Sequence, residues 1–578
     1  MTAPAPKPLF SSNHHFDILI CLGLVLAIVV PYHQVAGHRF IEFDDGLYTY
    51  YNTQIMRGLS WDSICWAFTN TEAANWHPLT WISLLVYREL FGPYPGGYLL
   101  ENVAWHALAS CLCYLAFFRT TKSRLFAFTV ALILAVHPAN VENVAWMSER
   151  KSLLNAVLWF CAIITYLDFI ETRSWRAYGF TVIAHSLGLM CKSMSVTLPG
   201  TLVLIHVLWC VYQPDRSGLP SSFRLFVKKI IAPVLPLAAL SIYFAAVTIS
   251  AQSVAIAGVA EFSLPGRLIN TVLSYERYVF MFFHPTALAI FYPLLLSELT
   301  WGGVVVPALV LAAITVAVLM LVRRKPQLLL GWCWFLGTML PVIGLVQVGS
   351  QSYADRYLYM PMVGLALVFP ALFEELRAIS RPLWRGIIAT SLAAIGISLI
   401  LATQIQVSYW RNGVTLFQHS LEVSGNCVTN VFTLAIAYHR AERYRDVVAF
   451  TDTEIAIATN PINVAKLYAI KASALYNLKE HTAAIASAQK ALDLGNTDAS
   501  TYMILAGANY DLGHFDKAAK SIAKARAALK TTYGSDYISQ YLQALVGQLE
   551  RKINTNSSVE AARPAPPRAQ RSQVLGTK

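Results

Sequence analysis

Acidic residues are scarce in this sequence. There are 32 Asp and Glu in 578 residues, and charged residues of both signs make up only 13%. A soluble domain carries about 25% charge, so that class is excluded. The chain is 56% hydrophobic and reads as a polytopic membrane protein. Paired-cysteine motifs are missing too: the nine cysteines include no CxxC, which argues against zinc and redox chemistry. Cys21, Cys111, Cys113, Cys161, Cys191, Cys210 and Cys333 lie in or beside apolar runs and act as small hydrophobes. No strong basic region precedes the run 18–30 and no clear cleavage site follows it, so it reads as a retained first span. The net charge of +12 does not call for nucleic acid, because Lys and Arg in cytoplasmic loops set membrane topology.

What is present is a series of apolar runs at roughly 16–32, 98–118, 125–136, 153–170, 178–190, 196–212, 230–250, 304–322, 328–346, 357–373 and 386–404. That makes about eleven spans, at about 20 residues each. Basic clusters at 119–124, 173–176, 216–229, 323–325 and 377–385 place those loops in the cytoplasm. The loops at 33–97, 137–151, 251–266 and 347–356 then face the opposite side. The count holds if 267–300 makes no net crossing, as a re-entrant or interfacial helix would. The N-terminus is inside and the end of the last span outside.

After residue 406 the texture becomes polar, Ala-rich and helical. Small residues pair at an offset of twelve in Ala435 and Val447, Ala472 and Ala484, and Ala506 and Ala518; Ala491 and Ala525 follow seven later. The starts are 37 and 34 residues apart, the spacing of tetratricopeptide (TPR) repeats. The domains expected are a tail at 1–15, a transmembrane domain at 16–406 with an outer loop at 33–97, repeats at 407–552, and a Pro- and Arg-rich disordered tail at 553–578.

Charge inside a membrane is costly, about 2.5–3.5 kcal/mol at a helix centre, so ionisable residues at span ends are weighed one by one. Asp44 and Asp45 follow the first span in FIEFDDGLYTYYN; the plainer alternative for them is a solvated loop with a helix cap. His77 lies in NWHPLTW, His137 and Glu142 in HPANVENVAWMSERK together with Arg150, Lys192 in GLMCKSMSVTLP, and Arg356 in QSYADRYLYMP. Singly each has a structural alternative: a snorkelling lysine, a local ion pair, a histidine bonding a free helix carbonyl. Together all fall near the outer ends of spans. An acid pair among cations at one face suits transfer from an anionic lipid carrier.

The ordered motifs FDDGLY, NWHPLTW, GGYLLENVAWHAL, HPANVENVAWMSERK and LGLMCKSMSVTLP resemble the transmembrane and TPR-containing O-mannosyltransferase family. LGWCWFLGTMLPVIGLVQVGSQSYADRYLYMP and YWRNGVTLFQHSLEV look like its bacterial branch. The likeness covers roughly residues 40–525. It implies a GT-C glycosyltransferase: an all-α polytopic bundle followed by a TPR α-solenoid. It also implies a polyprenyl-phosphate-linked sugar donor, inverting transfer, and a catalytic acid in the first outer loop, which maps onto Asp44 and Asp45. The chain departs from the animal members around His77 and in its shorter repeat array, which leaves sugar and acceptor open. Neighbours in an extended loop point to opposite sides, so Asp44 is assigned as base and Asp45 as placing the acceptor or a cation; the sequence assigns no cofactor and leaves the need for a divalent cation open. His77, His137 and Glu142 are further substrate-binding candidates, while Lys192, Arg356 and Arg150 are candidates to hold the donor phosphate. The expected setting is a bacterial inner membrane, with the repeats outside the cytoplasm holding a protein or glycan acceptor. The alternatives are a non-enzymatic TPR scaffold for envelope or pilus assembly, and a polysaccharide polymerase or ligase.

Overall fold

The computed structural model describes residues 14–212, 220, 222–252, 263–294, 300–347, 349–378, 382–532, 543–544 and 546–552. The tail expected at 1–15, apart from its last two residues, the basic-loop Arg216, and the disordered tail expected at 553–578 lie outside these. The described residues are overwhelmingly helical and fall into two compact units, 1–433 and 434–578.

In the first unit the principal helices are α1 (His14–Tyr32), α2 (Pro78–Phe91), α3 (Pro95–Thr121), α4 (Arg124–Val136), α5 (Arg150–Thr172), α6 (Trp175–Leu189), α7 (Leu198–Tyr212), α8 (Leu235–Ala251), α9 (Leu264–Phe283), α10 (Trp301–Leu321), α11 (Pro326–Met339), α12 (Val368–Ala378) and α13 (Pro382–Tyr409). Among the described residues, seven helices are long and apolar enough to cross a membrane, or eight if α4 and Pro138–Ala145, bent by 55°, form one broken span. This revises the expected eleven. The other three runs fold as shorter helices: α6 with 15 residues, α11 with 14, and the pieces around Pro361–Phe373. Each is interrupted early, by the turn at Met190–Cys191, the turn after Met339, and the break at Leu367.

The core lies around α3 and α5, whose side chains are mostly buried, whereas α10 buries none and presents an all-round apolar surface to lipid. Close backbone approach helps to pack the short helices. A Cβ on Gly331 of α11 would stand 2.3 Å from the Gly364 carbonyl oxygen, and one on Gly364 would stand 2.4 Å from that of Gly331. Only glycine permits this contact. Arg119 pairs with Asp168 at 2.6 Å, and buried Asp17 accepts from Arg124 at 2.8 Å and from the Tyr114 hydroxyl at 2.7 Å.

Helix α9 occupies the segment expected to make no net crossing. Its polar residues meet the segment 345–354: Arg267 donates to Leu345 O, Ser352 Oγ donates to Asn270 Oδ1 at 2.7 Å, and Tyr278 donates to Ala354 O.

The second unit and the helix that leads into it form three helix pairs: Val428–Arg440 with Tyr444–Ile457, Pro461–Asn477 with His481–Asp493, and Ala499–Asp511 with Phe515–Thr532. All eight small residues of the repeating pattern are fully buried. The turn inside each pair carries one left-handed residue, Glu442, Lys479 or Gly513, and these recur at the same 37 and 34 spacing. The short helix Gly413–Ser424, expected in the repeat domain, groups with the first unit.

Candidate active site

Residues from six stretches of the chain line one cavity of about 250 Å³ in the first unit, among them Asp44, His77, Glu149, Lys151, Lys192 and Arg356. Asp44 precedes a single helical turn, Asp45–Tyr48. The turn sends the two carboxylates apart. Asp44 lines the cavity, while Asp45, only 2% exposed, turns inward and accepts from the Ile41 backbone N–H at 2.8 Å. Burial raises the Asp45 pKa to about 8. Asp44 is also raised by burial, against the pull of Lys151 and Arg356.

Glu149 is the hub of the charged side. It accepts from Lys151 Nζ at 3.0 Å, from Lys192 Nζ at 3.0 Å and from the Ser152 hydroxyl, with Arg356 Nε at 3.8 Å. Lys192 reaches it because α6 ends at Leu189 and the chain becomes extended at Lys192 itself. Burial lowers the Lys192 pKa, and Glu149 opposes that shift. Arg356 follows a two-stranded antiparallel ribbon, β1 (Tyr292–Pro293) and β2 (Gln351–Tyr353), in which Tyr292 stacks on Tyr353 at 4.1 Å and its hydroxyl donates to Asp355 at 2.8 Å. Glu142 then clamps Arg356, accepting from its backbone N–H at 2.7 Å and from Nη1 at 2.5 Å, and the guanidinium lies over Trp146 and Tyr357. Burial works against this charge, but Glu142 and its neighbours more than offset that and hold the Arg356 pKa well above its usual value.

His77 lines the cavity from the residue before α2, stacked against Tyr48 and Trp81. Trp81 is fully buried in this stack, while Trp61 is 76% exposed. The other candidates stand elsewhere. Glu142 is behind Arg356 rather than in the cavity. Arg150, fully buried, pairs with Glu101 at 2.7 Å, Asn102 Oδ1 at 3.0 Å and Tyr98 O at 2.8 Å. His137 donates from Nε2 to Phe282 O at 2.9 Å and lines a separate apolar cavity of about 480 Å³.

Sequence reasoning passed over Glu149 and Lys151, the neighbours of Arg150. A signal was available. Arg150 falls in register with Leu153, Val157 and Phe160, the packed side of α5, so its neighbours were the ones free to face elsewhere. Among the described residues no group of three His, Cys, Asp or Glu stands close enough together to hold a metal ion.

These observations define a multi-pass helical membrane protein with a mixed-charge cavity in its helical bundle. No family model matches the chain. It is 28% identical to the Drosophila melanogaster protein O-mannosyl-transferase Tmtc2 over 232 residues, 37% of this chain and 24% of that protein. It is 30% identical to Drosophila Tmtc1 over 123 residues, 21% and 14% of the two chains, and 28% identical to human TMTC3 over 151 residues, 24% and 15%. The chain is a relative of these proteins, as its motifs suggest, but its matches span a quarter or less of their length. The crystal structure of ArnT from Cupriavidus metallidurans bound to undecaprenyl phosphate aligns with 96% of this chain and 90% of its own, at 12% identity and a TM-score of 0.30.

Proposed function

We propose that this protein is an inverting GT-C glycosyltransferase that moves a sugar from a polyprenyl-phosphate-linked donor to an acceptor hydroxyl. The carrying observation is that Asp44 shares one cavity with Lys151, Lys192 and Arg356. The names of the relatives, protein O-mannosyl-transferases, agree with this reading. The cations hold the donor phosphate by charge-assisted hydrogen bonds. The acceptor oxygen attacks the anomeric carbon from the face opposite the phosphate. The carbon–oxygen bond to phosphate breaks and its electron pair leaves with the phosphate. The acceptor proton passes to Asp44. The phosphate gains one negative charge as Asp44 loses one, so the cavity's total charge is unchanged. Burial favours this by raising the carboxylate's proton affinity.

The sequence-derived topology puts this chemistry on the outer face of an inner membrane. With the N-terminus inside, an odd count such as the seven long apolar helices also leaves the helix pairs outside the cytoplasm, as TPR repeats that recruit a protein or glycan acceptor. Alkaline phosphatase fused after residue 552 should be active and green fluorescent protein dark; the reverse would sink that placement. The activity is tested with purified protein, a polyprenyl-phosphate hexose and envelope proteins as acceptors. Wild type should transfer sugar, and Asp44→Asn should lose about 10²–10⁴-fold in turnover while remaining folded. Full activity in Asp44→Asn would remove Asp44 as base. No transfer by wild type to protein, with transfer to glycan, would favour a polymerase or ligase.

A further inference from the structure

The cavity has two chemically different sides. One carries the charges around Glu149. The other is neutral, formed by Asn75, Trp76 and His77 together with Thr248 and Gln252 at the end of α8. We propose that this neutral wall is the subsite for the sugar of the lipid-linked donor, with Trp76 and His77 its principal contacts. The inference rests on the donor reading above and adds where, within that cavity, the sugar sits.

The wall is built to keep its shape. Trp76 donates from Nε1 to Phe68 O at 2.9 Å and packs on Phe244 with ring centroids 5.5 Å apart, so its indole is held at both edge and face. Asn75 donates to Ala73 O at 2.7 Å, and its Oδ1 accepts from Gln252 Nε2 at 3.4 Å, which ties the loop before α2 to the end of α8. His77 is 2% exposed and wedged beside Tyr48 and Trp81, yet its Nε2 has no hydrogen-bond partner among the described residues. A buried polar atom without a partner is costly. At the wall of a cavity it marks a place where a ligand completes the bonding.

The ligand chemistry follows from the groups present. A phosphate needs cations, and Lys192 and Arg356 stand around Glu149. A hexose has an apolar C–H face and a rim of neutral hydroxyls. An immobilised indole face suits the first, and neutral imidazole and amide groups suit the second. Burial, helped by the nearby Lys151 charge, lowers the His77 pKa to about 3. The ring is therefore neutral at physiological pH, able to accept on one nitrogen and donate from the other.

The test separates sugar from phosphate. Wild-type protein in nanodiscs is titrated with undecaprenyl phosphate and with its mannosyl and glucosyl esters. His77→Phe keeps the aromatic stack and removes both nitrogens; Gln252→Ala removes an amide from the same wall. Each should weaken the tighter sugar ester about tenfold and change bare undecaprenyl phosphate by less than about twofold. Lys192→Met should weaken all three lipids. If His77→Phe elutes as aggregate, Gln252→Ala decides alone. Equal losses for ester and bare lipid, or no loss for either, would overturn the sugar subsite while leaving the donor reading intact. Wild type binding none of the three lipids would overturn the donor reading, and the subsite with it.

Discussion

Lys192 Nζ stands 3.0 Å from Glu149 Oε2, although 43 residues separate them in the chain. The same lysine reaches the Ser152 hydroxyl at 2.6 Å. Both partners sit at the start of α5, so one side chain joins the break after α6 to the head of the most buried region of the bundle. A lysine merely reaching for the bilayer surface would not end on a buried carboxylate.

Lys192→Met should weaken donor binding about 10–100-fold, the worth of a charge-assisted hydrogen bond of about 1.5–3 kcal/mol. Methionine keeps the apolar stem, and Glu149 retains Lys151 and Arg356. Titration of a lipid-linked donor checks affinity, and a thermal-unfolding scan checks folding. Unchanged affinity in a stable variant would leave Lys192 a structural lysine.

Activity should depend on the state of Asp44. A base works only when deprotonated, so turnover should rise with pH through the pKa of Asp44, which burial places above the usual carboxylate value. The acid limb of the kcat/KM–pH profile, which reports the free enzyme, should therefore lie above pH ~4, the ordinary aspartate range. A flat profile across that limb, with a proton-independent product-release step ruled out by burst kinetics, would argue against Asp44.

Asp45 should affect stability instead. Its folded pKa of about 8 lies above the ordinary value of 3.8, so between these values the folded state holds a proton that the unfolded state has released. Stability then falls as pH rises from about 4 to about 8, and levels off above. Asp45→Asn keeps an acceptor for the Ile41 N–H and removes the titration. Its melting temperature in detergent should exceed that of wild type at pH 8, with a shallower slope between pH 5 and 8. A slope identical to wild type would show that Asp45 titrates normally.

Arg150→Met should destabilise the protein by about 3 kcal/mol, at the low end for breaking a buried pair because Glu101 keeps some solvent. Donor affinity of the folded fraction should be close to that of wild type. A fully stable variant with weakened donor binding would bring Arg150 back into the site.

The sequence by itself determined the class of protein, the positions of the helices and the repeats. Low charge and long apolar runs leave a chain no soluble solution, because apolar surface on this scale must be buried in protein or lipid. Helical periodicity is local, and so is the offset of twelve between small residues that must pack where two helices cross. Each of the eleven apolar runs contains a helix, and every small residue of the repeat is buried. Span length was less legible. Whether a run continues or stops depends on turns such as Met190–Cys191, whose stability comes from packing.

Only the tertiary structure decided which charges share the cavity. Asp44 and Asp45 are adjacent, as are Glu149, Arg150 and Lys151, and composition cannot separate such neighbours. One helical turn sends Asp45 inward to Ile41 N–H, and Arg150 inward to Glu101 and Tyr98, while Asp44, Glu149 and Lys151 face the cavity. Glu142 stands behind Arg356 across 214 residues of chain. The orientation of a side chain at a helix start depends on what packs beside it, and those partners come from distant segments. That is why the motifs named the right region and the contacts sorted its residues.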